Sequence, residues 1–309
     1  MAESEPTASA ATSTTIVGWQ RPWIAYLSSA PALIAVAVIL AFPVLFAAWQ
    51  SLFRIRLLED EEPFVGLGNY VDVFSEAQFW SALGRTAVFV GGVIVLGLTL
   101  SVLFAFALNR VISGLRFIRG LAILPYIVSS VAAALMFRTL FDGDFGFPNQ
   151  ALEFFGFDGV PWLSNRVYAM IVVIIAQVWT DLPLALLFVL GGLQTIDKQL
   201  TEAAKVDGAS GWRSALDISL PLIAPQLALA TVWLSFKAVT SLGTVLALTG
   251  GGPADATQLL TLEMVRLGFD EFDTGTAMAM VIIIFLLNAA LTLFYLRLQR
   301  KFGMKERSK

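Results

Sequence analysis

The sequence predicts an all-α integral membrane protein with six transmembrane helices. Of its 309 residues, 57% are hydrophobic and only 14% are charged, and the mean hydropathy is +0.78. Soluble domains contain roughly 45–50% apolar and about 25% charged residues, so a single globular core could not bury this surplus. Six apolar runs each reach the length of about 20 residues that a helix needs to cross a bilayer. They cover residues 23–53, 86–108, 118–140, 167–190, 218–248 and 274–298.

The six runs differ in how regular a helix they predict. The first contains Pro31 and Pro43, and the fifth contains Pro221 and Pro225. Because proline cannot donate a backbone hydrogen bond, we expect a kink or an interfacial turn in each of these two long runs. The fourth and sixth runs predict the most regular helices.

The two ends of the chain differ from the apolar runs. Residues 1–22 are rich in Ser, Thr and Ala and lack the basic start of a secretory signal, so we expect a disordered cytoplasmic tail that stays attached. The transmembrane domain then covers residues 23–300. Residues 301–309 form a basic tail.

The distribution of basic residues predicts the orientation. With the N-terminus inside, 13 of the 20 Lys and Arg residues lie in cytoplasmic segments and five lie in outer segments. The acidic stretch LEDEE at 58–62 falls outside. Because cytoplasmic loops of membrane proteins carry an excess of Lys and Arg, both termini are expected in the cytoplasm of a multi-pass cell-membrane protein.

Several kinds of chemistry are absent from this sequence. There are no cysteines and no histidines, which removes disulfides, thiolate metal sites and the commonest general base. The sequence also contains no G-x-x-x-x-G-K-[ST] phosphate loop. We therefore expect a protein that is not an enzyme and that holds no metal or cofactor of its own.

A polar stretch, EAAKVDGASGWRSALDISLP at 202–221, separates the fourth and fifth runs. Thr201 can cap a short helix with Glu202 in its first turn, and Asp207-Gly208 can end that helix. A second short helix can then cover residues 209–217. Its small residues suit docking into the groove of a partner protein, although a plain amphipathic loop helix explains the pattern equally well.

This stretch resembles the EAA loop of ATP-binding-cassette importer permeases. The matching residues are Glu202, Ala203, Ala204, Asp207, Gly208, Ala209, Ile218, Leu220 and Pro221. The resemblance implies that the loop, residues 198–217, forms a coupling helix between transmembrane helices 4 and 5 that seats in a cleft of a cytoplasmic ATPase. The pattern departs at Ala215, where an aromatic residue is common, and at Asp217, where a basic one is.

Other segments resemble the carbohydrate branch of that family, similar to the membrane subunits of maltose importers. They are VGLGNYVDVF at 65–74, LPYIVSSVAAALMFRTLFDGDFG at 124–146, LALTGGGPADAT at 246–257 and FDEFDTGTAMA at 269–279. The resemblance implies the first of two paired permease subunits, importing a di- or oligosaccharide or a sugar derivative. The implied partners are a second permease subunit, two ATPase subunits that bind ATP and Mg, and an extracytoplasmic solute-binding protein. No nucleic acid is implied.

Polar residues inside the predicted spans are candidates for a solute path, because they are costly in a bilayer. They are Gln177, Trp179, Asp181, Lys237, Thr240, Ser241 and Asn288. Together they offer the hydrogen-bonding groups and the aromatic face that a sugar needs. Pairing of Asp181 with Lys237, simply to hold helices together, explains those two residues equally well.

A secondary transporter driven by an ion gradient is the alternative function, with Asp181 as the proton or cation site. Two features oppose it. The chain has no evident internal repeat of the kind from which such transporters are built, and the polar stretch would have no purpose. An intramembrane enzyme is disfavoured by the missing His and Cys and by the lack of a paired acid motif.

Overall fold

The computed structural model describes the backbone of residues 22–56, 59, 61–110 and 116–306. The predicted tail at 1–22 therefore lies outside the described residues except for Pro22, and the basic tail is described only to residue 306. The described chain is helical and contains no β-strand beyond two isolated bridges. Its α-helices are α1 (Pro22–Gln50), α2 (Gly68–Ser75), α3 (Ala77–Arg110), α4 (Arg116–Ile127), α5 (Ser130–Leu140), α6 (Phe147–Phe154), α7 (Arg166–Gln194), α8 (Lys198–Val206), α9 (Gly211–Ser214), α10 (Leu220–Leu222), α11 (Ala224–Val239), α12 (Gly243–Leu248), α13 (Leu260–Val265) and α14 (Thr274–Glu306).

The chain divides into two compact units, Met1–Phe46 and Ala47–Lys309. In the first unit the described residues belong to α1, which runs on through Pro31 and Pro43 without interruption. From residue 31 to 46 almost every side chain of α1 is exposed. An apolar helix of this kind, exposed on all sides, is suited to lipid or to another protein.

The core of the second unit is built by α3, α7, α11 and α14. Small residues let these helices approach closely, as is usual in membranes. A Cβ atom added at Gly92 of α3 would come within 2.6 Å of the Ile174 side chain on α7, and one at Gly97 within 3.0 Å of Leu234 on α11. Leu234 itself is completely buried.

Among the described residues, four helices are long and apolar enough to cross a membrane. They are Ala30–Gln50, Ala77–Asn109, Arg166–Gln194 and Thr274–Gln299. These helices lie at the predicted first, second, fourth and sixth spans. The prediction of an all-α membrane protein is confirmed.

The third and fifth predicted spans, 118–140 and 218–248, are not single helices. The third breaks into α4 and α5 at Ser129, whose ψ of 136° is extended. The fifth contains α10 and α11, which are joined at Ile223 with a bend of 75°. Helix α11 ends at Val239, and the rest of the run forms the separate helix α12. Pro125 lies near the first break and Pro225 opens α11, and each removes a backbone donor from the helical ladder. Counting the bent pair as one span gives five among the described residues.

The segment between α12 and α13 forms a turn. Gly250 and Gly251 have φ of 57° and 92°, in the left-handed region that favours glycine. The buried Thr257 stabilises the turn: its hydroxyl donates to the Gly252 carbonyl over 2.8 Å and lies 2.7 Å from the Thr249 hydroxyl.

A buried carboxylate, Glu263, ties α13 to its surroundings. Its side chain is almost fully buried and accepts hydrogen bonds from Gln78, Gln258 and Arg266. Burial alone would raise the pKa of the Glu263 carboxyl, but the hydrogen bonds from Arg266, Gln258 and Gln78 outweigh it and lower the pKa below its ordinary value. The ionised carboxylate is therefore the form that holds this corner together.

The hydrogen-bonded Glu263 carboxylate predicts that the stability of the protein depends on pH. Because the folded pKa of Glu263 is lowered, its contribution is complete above the ordinary carboxyl pKa of about 4.3 and is lost as the pH falls through the lower folded value. We expect Glu263→Gln to destabilise the protein by about 1–3 kcal/mol near neutral pH and to weaken its acid sensitivity. Melting temperatures of the purified protein across this pH range measure both effects.

Glu271→Gln is the matched control. Glu271 pairs with the same arginine but is half-exposed, so its loss is expected to cost at most about 1 kcal/mol. Equal destabilisation by the two variants would contradict the special role of the buried carboxylate.

Candidate functional site

Three of the predicted polar residues form a buried hydrogen-bonded chain between α7 and the end of α11. The Gln177 amide nitrogen donates to an Asp181 carboxylate oxygen over 2.5 Å, and the Ser241 hydroxyl donates to the Gln177 amide oxygen over 2.6 Å. The Asp181 side chain is only 3% exposed. One helical turn separates Gln177 from Asp181, which places both on the same face of α7.

Lys237 extends this chain towards an open surface. Its ammonium lies 3.9 Å from the Asp181 carboxylate, while 37% of the side chain is exposed. The same ammonium lies 5.8 Å from the centre of the Trp233 ring, within the range of a cation–π contact. The Trp233 ring nitrogen donates to the Asp181 carbonyl over 3.4 Å, and the exposed Tyr126 ring lies 6.0 Å from the Trp233 ring.

The other predicted path residues lie elsewhere. Trp179 follows Gln177 by two residues, about 200° around the helix, and packs edge-on against Phe137. The Thr240 side chain is exposed, and its hydroxyl donates to the backbone carbonyl of Phe236 in its own helix over 2.7 Å. Asn288 is buried in α14 and makes no hydrogen bond to this cluster among the described contacts.

We call Gln177, Asp181, Trp233, Lys237 and Ser241 the polar cluster. Its buried members hydrogen-bond to one another, and its exposed edge presents an ammonium beside the Trp233 ring, which the Tyr126 ring contacts in turn. Such an edge can donate hydrogen bonds to hydroxyl or phosphate oxygens and can cover an apolar sugar face. Trp233 was missed in the sequence, although its position four residues before Lys237 puts it on the same face of the helix.

The polar loop at 198–217 folds as two short helices with a tight break. The first helix, α8, begins at Lys198 instead of after Thr201, because the Asp197 carboxylate accepts a hydrogen bond from the Gln199 N–H over 2.9 Å. It ends at Val206, and the φ of 80° at Gly208 lets the Ala209 N–H bond back to the Ala204 carbonyl over 2.9 Å. The predicted Asp-Gly break is thus present.

The exposed surface of α8 carries three apolar side chains beside the polar Gln199 and Glu202. Leu200 is 50% exposed and Val206 is 88% exposed, and Ala203 between them is also exposed. These residues recur every three positions and so share one side of the helix. Ala204, by contrast, is buried against the loop itself.

The second half of the loop is a short helix followed by a π-helical turn at Ala215–Ser219. The Ser210 hydroxyl accepts a hydrogen bond from the Arg213 N–H over 3.3 Å and so caps α9. Ala215 is buried, where only a small residue leaves the local packing unchanged. Asp217 is exposed and lies 3.8 Å from Arg213, so the two departures from the EAA pattern have different surroundings.

Comparisons with known proteins identify the family. Residues 97–304 match the family described as binding-protein-dependent transport system inner membrane component. The chain is 34% identical to the trehalose/maltose transport system permease protein MalF of Thermococcus litoralis, covering 90% of this chain and 94% of that protein. It is 33% identical to the sn-glycerol-3-phosphate transport system permease protein UgpA of Yersinia pestis, covering 91% and 95%.

Solved structures agree with the fold. A bacterial ABC transporter involved in the import of the acidic polysaccharide alginate superposes with a TM-score of 0.75 at 23% identity, covering 91% of this chain and 96% of that chain. A structure of a bacterial alginate ABC transporter in complex with an alginate pentasaccharide-bound periplasmic protein also superposes with a TM-score of 0.75.

The chain therefore belongs to the family of binding-protein-dependent transport system inner membrane components. It is a multi-pass inner membrane permease subunit of an importer and not an enzyme, and the alternative of an ion-gradient-driven transporter is not supported. Among the residues that the structure describes, no group of three His, Cys, Asp or Glu side chains could hold a metal ion.

Proposed function

We propose that this permease subunit couples to a cytoplasmic ATPase through the loop at 198–217. The observation that carries the proposal is the set of three exposed apolar side chains on one side of α8, Leu200, Ala203 and Val206. An amphipathic helix that lays such a face into a groove is a common mode of docking. In this proposal Glu202, Asp207 and Gly208 shape and flank the docking helix.

The buried alanine refines the roles within the loop. Ala204 supports the fold of α8 from behind, whereas Ala203 and Val206 face the partner. Ala209 closes the break by bonding back to Ala204. Movement of the ATPase would then be delivered along the π-helical turn and α10 to α11, which carries Lys237 of the polar cluster.

We further propose that the exposed edge of the polar cluster contacts the transported solute. Lys237 would meet solute oxygens, Trp233 and Tyr126 would cover apolar faces, and Gln177 with Asp181 would hold the ammonium in place. The relatives named for trehalose and maltose and for sn-glycerol-3-phosphate point to a sugar or a sugar derivative. A cation with neighbouring aromatic rings suits either a neutral sugar or a phosphorylated polyol.

The proposed assembly follows from the family. It contains this chain, a second permease subunit that is a different chain, two ATPase subunits that bind ATP and Mg, and an extracytoplasmic solute-binding protein. Both termini would lie in the cytoplasm, with the permease domain at 23–300 flanked by the tails at 1–22 and 301–309. The excess of Lys and Arg in the segments that this orientation assigns to the cytoplasm supports it.

Uptake into proteoliposomes tests the function. The assembled complex, supplied with its binding protein and ATP at the ATPase face, is expected to accumulate maltose, trehalose or sn-glycerol-3-phosphate, and a protonophore should leave the rate unchanged. Omission of ATP serves as the control. Uptake that needs a proton or sodium gradient and no ATP would overturn the proposal.

A further inference from the structure

A groove between two membrane-spanning helices carries two arginines at its mouth. Its volume is about 660 Å³. Its apolar walls come from Val88 on α3 and from Val167, Met170, Ile171 and Ile174 on α7, with Trp80 at one edge. Arg85 and Arg166 lie at one end of the groove, beside Ala254 and Ala256 of the turn that follows α12.

Each of the two arginines is held by a hydrogen bond to a backbone carbonyl and still has N–H donors available for a ligand. Arg166 donates to the Ala254 carbonyl over 2.8 Å, and Arg85 donates to the Gln258 carbonyl over 3.4 Å. A guanidinium carries five N–H donors, so these contacts fix each group while leaving donors for an anion. Within the described part of the chain, neither arginine forms an ion pair and no acidic residue lines the groove.

The dimensions of the groove match one leaflet of a bilayer. From Arg166 to Ile174 the helix rises about 12 Å, close to the roughly 15 Å of half a hydrocarbon core. At the end away from the arginines, the groove closes where the Ile174 side chain packs against Gly92 of α3. Val88, Val167 and Ile171 are exposed apolar side chains at this depth, and the exposed Trp80 suits the headgroup level.

We propose that this groove binds an anionic phospholipid such as phosphatidylglycerol in the leaflet away from the ATPase. The phosphate accepts hydrogen bonds from Arg85 and Arg166, and one acyl chain lies against α7. Paired guanidinium groups recognise phosphate oxygens well, and charge complementarity favours a lipid with net negative charge. Because Arg166 also holds Ala254, the bound lipid would brace the turn at 249–258.

Native mass spectrometry of the assembled complex tests this inference. Titration with phosphatidylglycerol and with phosphatidylcholine is expected to show preferential binding of the anionic lipid. Arg85→Gln or Arg166→Gln should each weaken phosphatidylglycerol binding about fivefold. Arg138→Gln is the matched control, since Arg138 lines a separate cavity beside Trp162 and should leave binding unchanged.

A second variant separates lipid loss from misfolding. Ile171→Trp fills the apolar wall at an exposed position, so the lipid should be lost while both arginines stay in place. A photo-crosslinker at Val88 should label lipid. Equal binding of the two lipids, unchanged binding in both arginine variants, or crosslinking to a protein segment would overturn the proposal. These outcomes do not depend on whether α8 docks on an ATPase.

Discussion

Val206→Asp is expected to uncouple the permease from its ATPase. The side chain is 88% exposed and contributes almost nothing to the packing of its own chain. Valine and aspartate have similar helix propensities, so α8 itself should persist. In a docked interface, however, the carboxylate would be buried without a partner, which is expected to cost at least about 2 kcal/mol of binding free energy. Co-purification of the ATPase and solute-stimulated ATP hydrolysis measure the loss.

Two further variants sharpen this experiment. Val206→Ala keeps the face apolar and should retain most of the coupling. Val71→Asp introduces the same charge at a 60% exposed valine on α2, away from the loop, and should leave ATP hydrolysis unchanged. If the Val206→Asp complex assembles and keeps solute-stimulated hydrolysis, α8 does not dock through this face.

The coupling loop illustrates what sequence patterns can and cannot predict. The Asp-Gly pair predicts the break after α8 because a non-glycine residue seldom adopts a φ near 80°. The direction of each alanine is not visible in the pattern E-A-A. It depends on how the helix packs, and α8 lies against α9 with Ala204 buried. A bulky residue at Ala204 would disturb the loop before it reached any partner.

The membrane spans show a similar division. A run such as 167–190 predicts α7 well because the helix continues through Pro183 without a break. Hydropathy does not report where a helix stops, so the third run was predicted without a break, whereas Pro221 and Pro225 predicted the bend in the fifth. The breaks at Ser129 and Ile223 depend on nearby prolines and on the packing of the flanking helices. The sequence is apolar on both sides of each break, so hydropathy does not mark where the helix stops.

The polar cluster was only partly predictable. The spacing of Gln177 and Asp181 places them on one face, and the structure joins them to Lys237 and Ser241. Contacts between different helices could not be inferred from spacing within one helix. Trp179 was therefore a reasonable aromatic candidate from its position near Asp181, yet Trp233 is the ring that lies beside the ammonium.

Asp181→Ala is expected to lower solute uptake at least about tenfold. Removing the carboxylate leaves the Gln177 amide and the Lys237 ammonium without their acceptor in a mostly buried site. The expected loss of stability is about 2 kcal/mol, at the low end for a charged pair because Lys237 is partly solvated. Thr231→Val on α11 is the control, since that hydroxyl bonds only within its own helix in the described contacts.

The double variant Asp181→Asn with Lys237→Met separates a structural pair from a solute contact. Both charges are then removed, and the asparagine oxygen can still accept the Gln177 hydrogen bond, so stability should recover relative to Asp181→Ala. If Lys237 contacts the solute, uptake stays low although the complex is stable, because the donor for the solute oxygens is gone. Recovery of uptake together with stability would instead assign Asp181 and Lys237 to holding α7 against α11. Melting temperature and initial uptake rate, measured on the same preparations, distinguish the two outcomes.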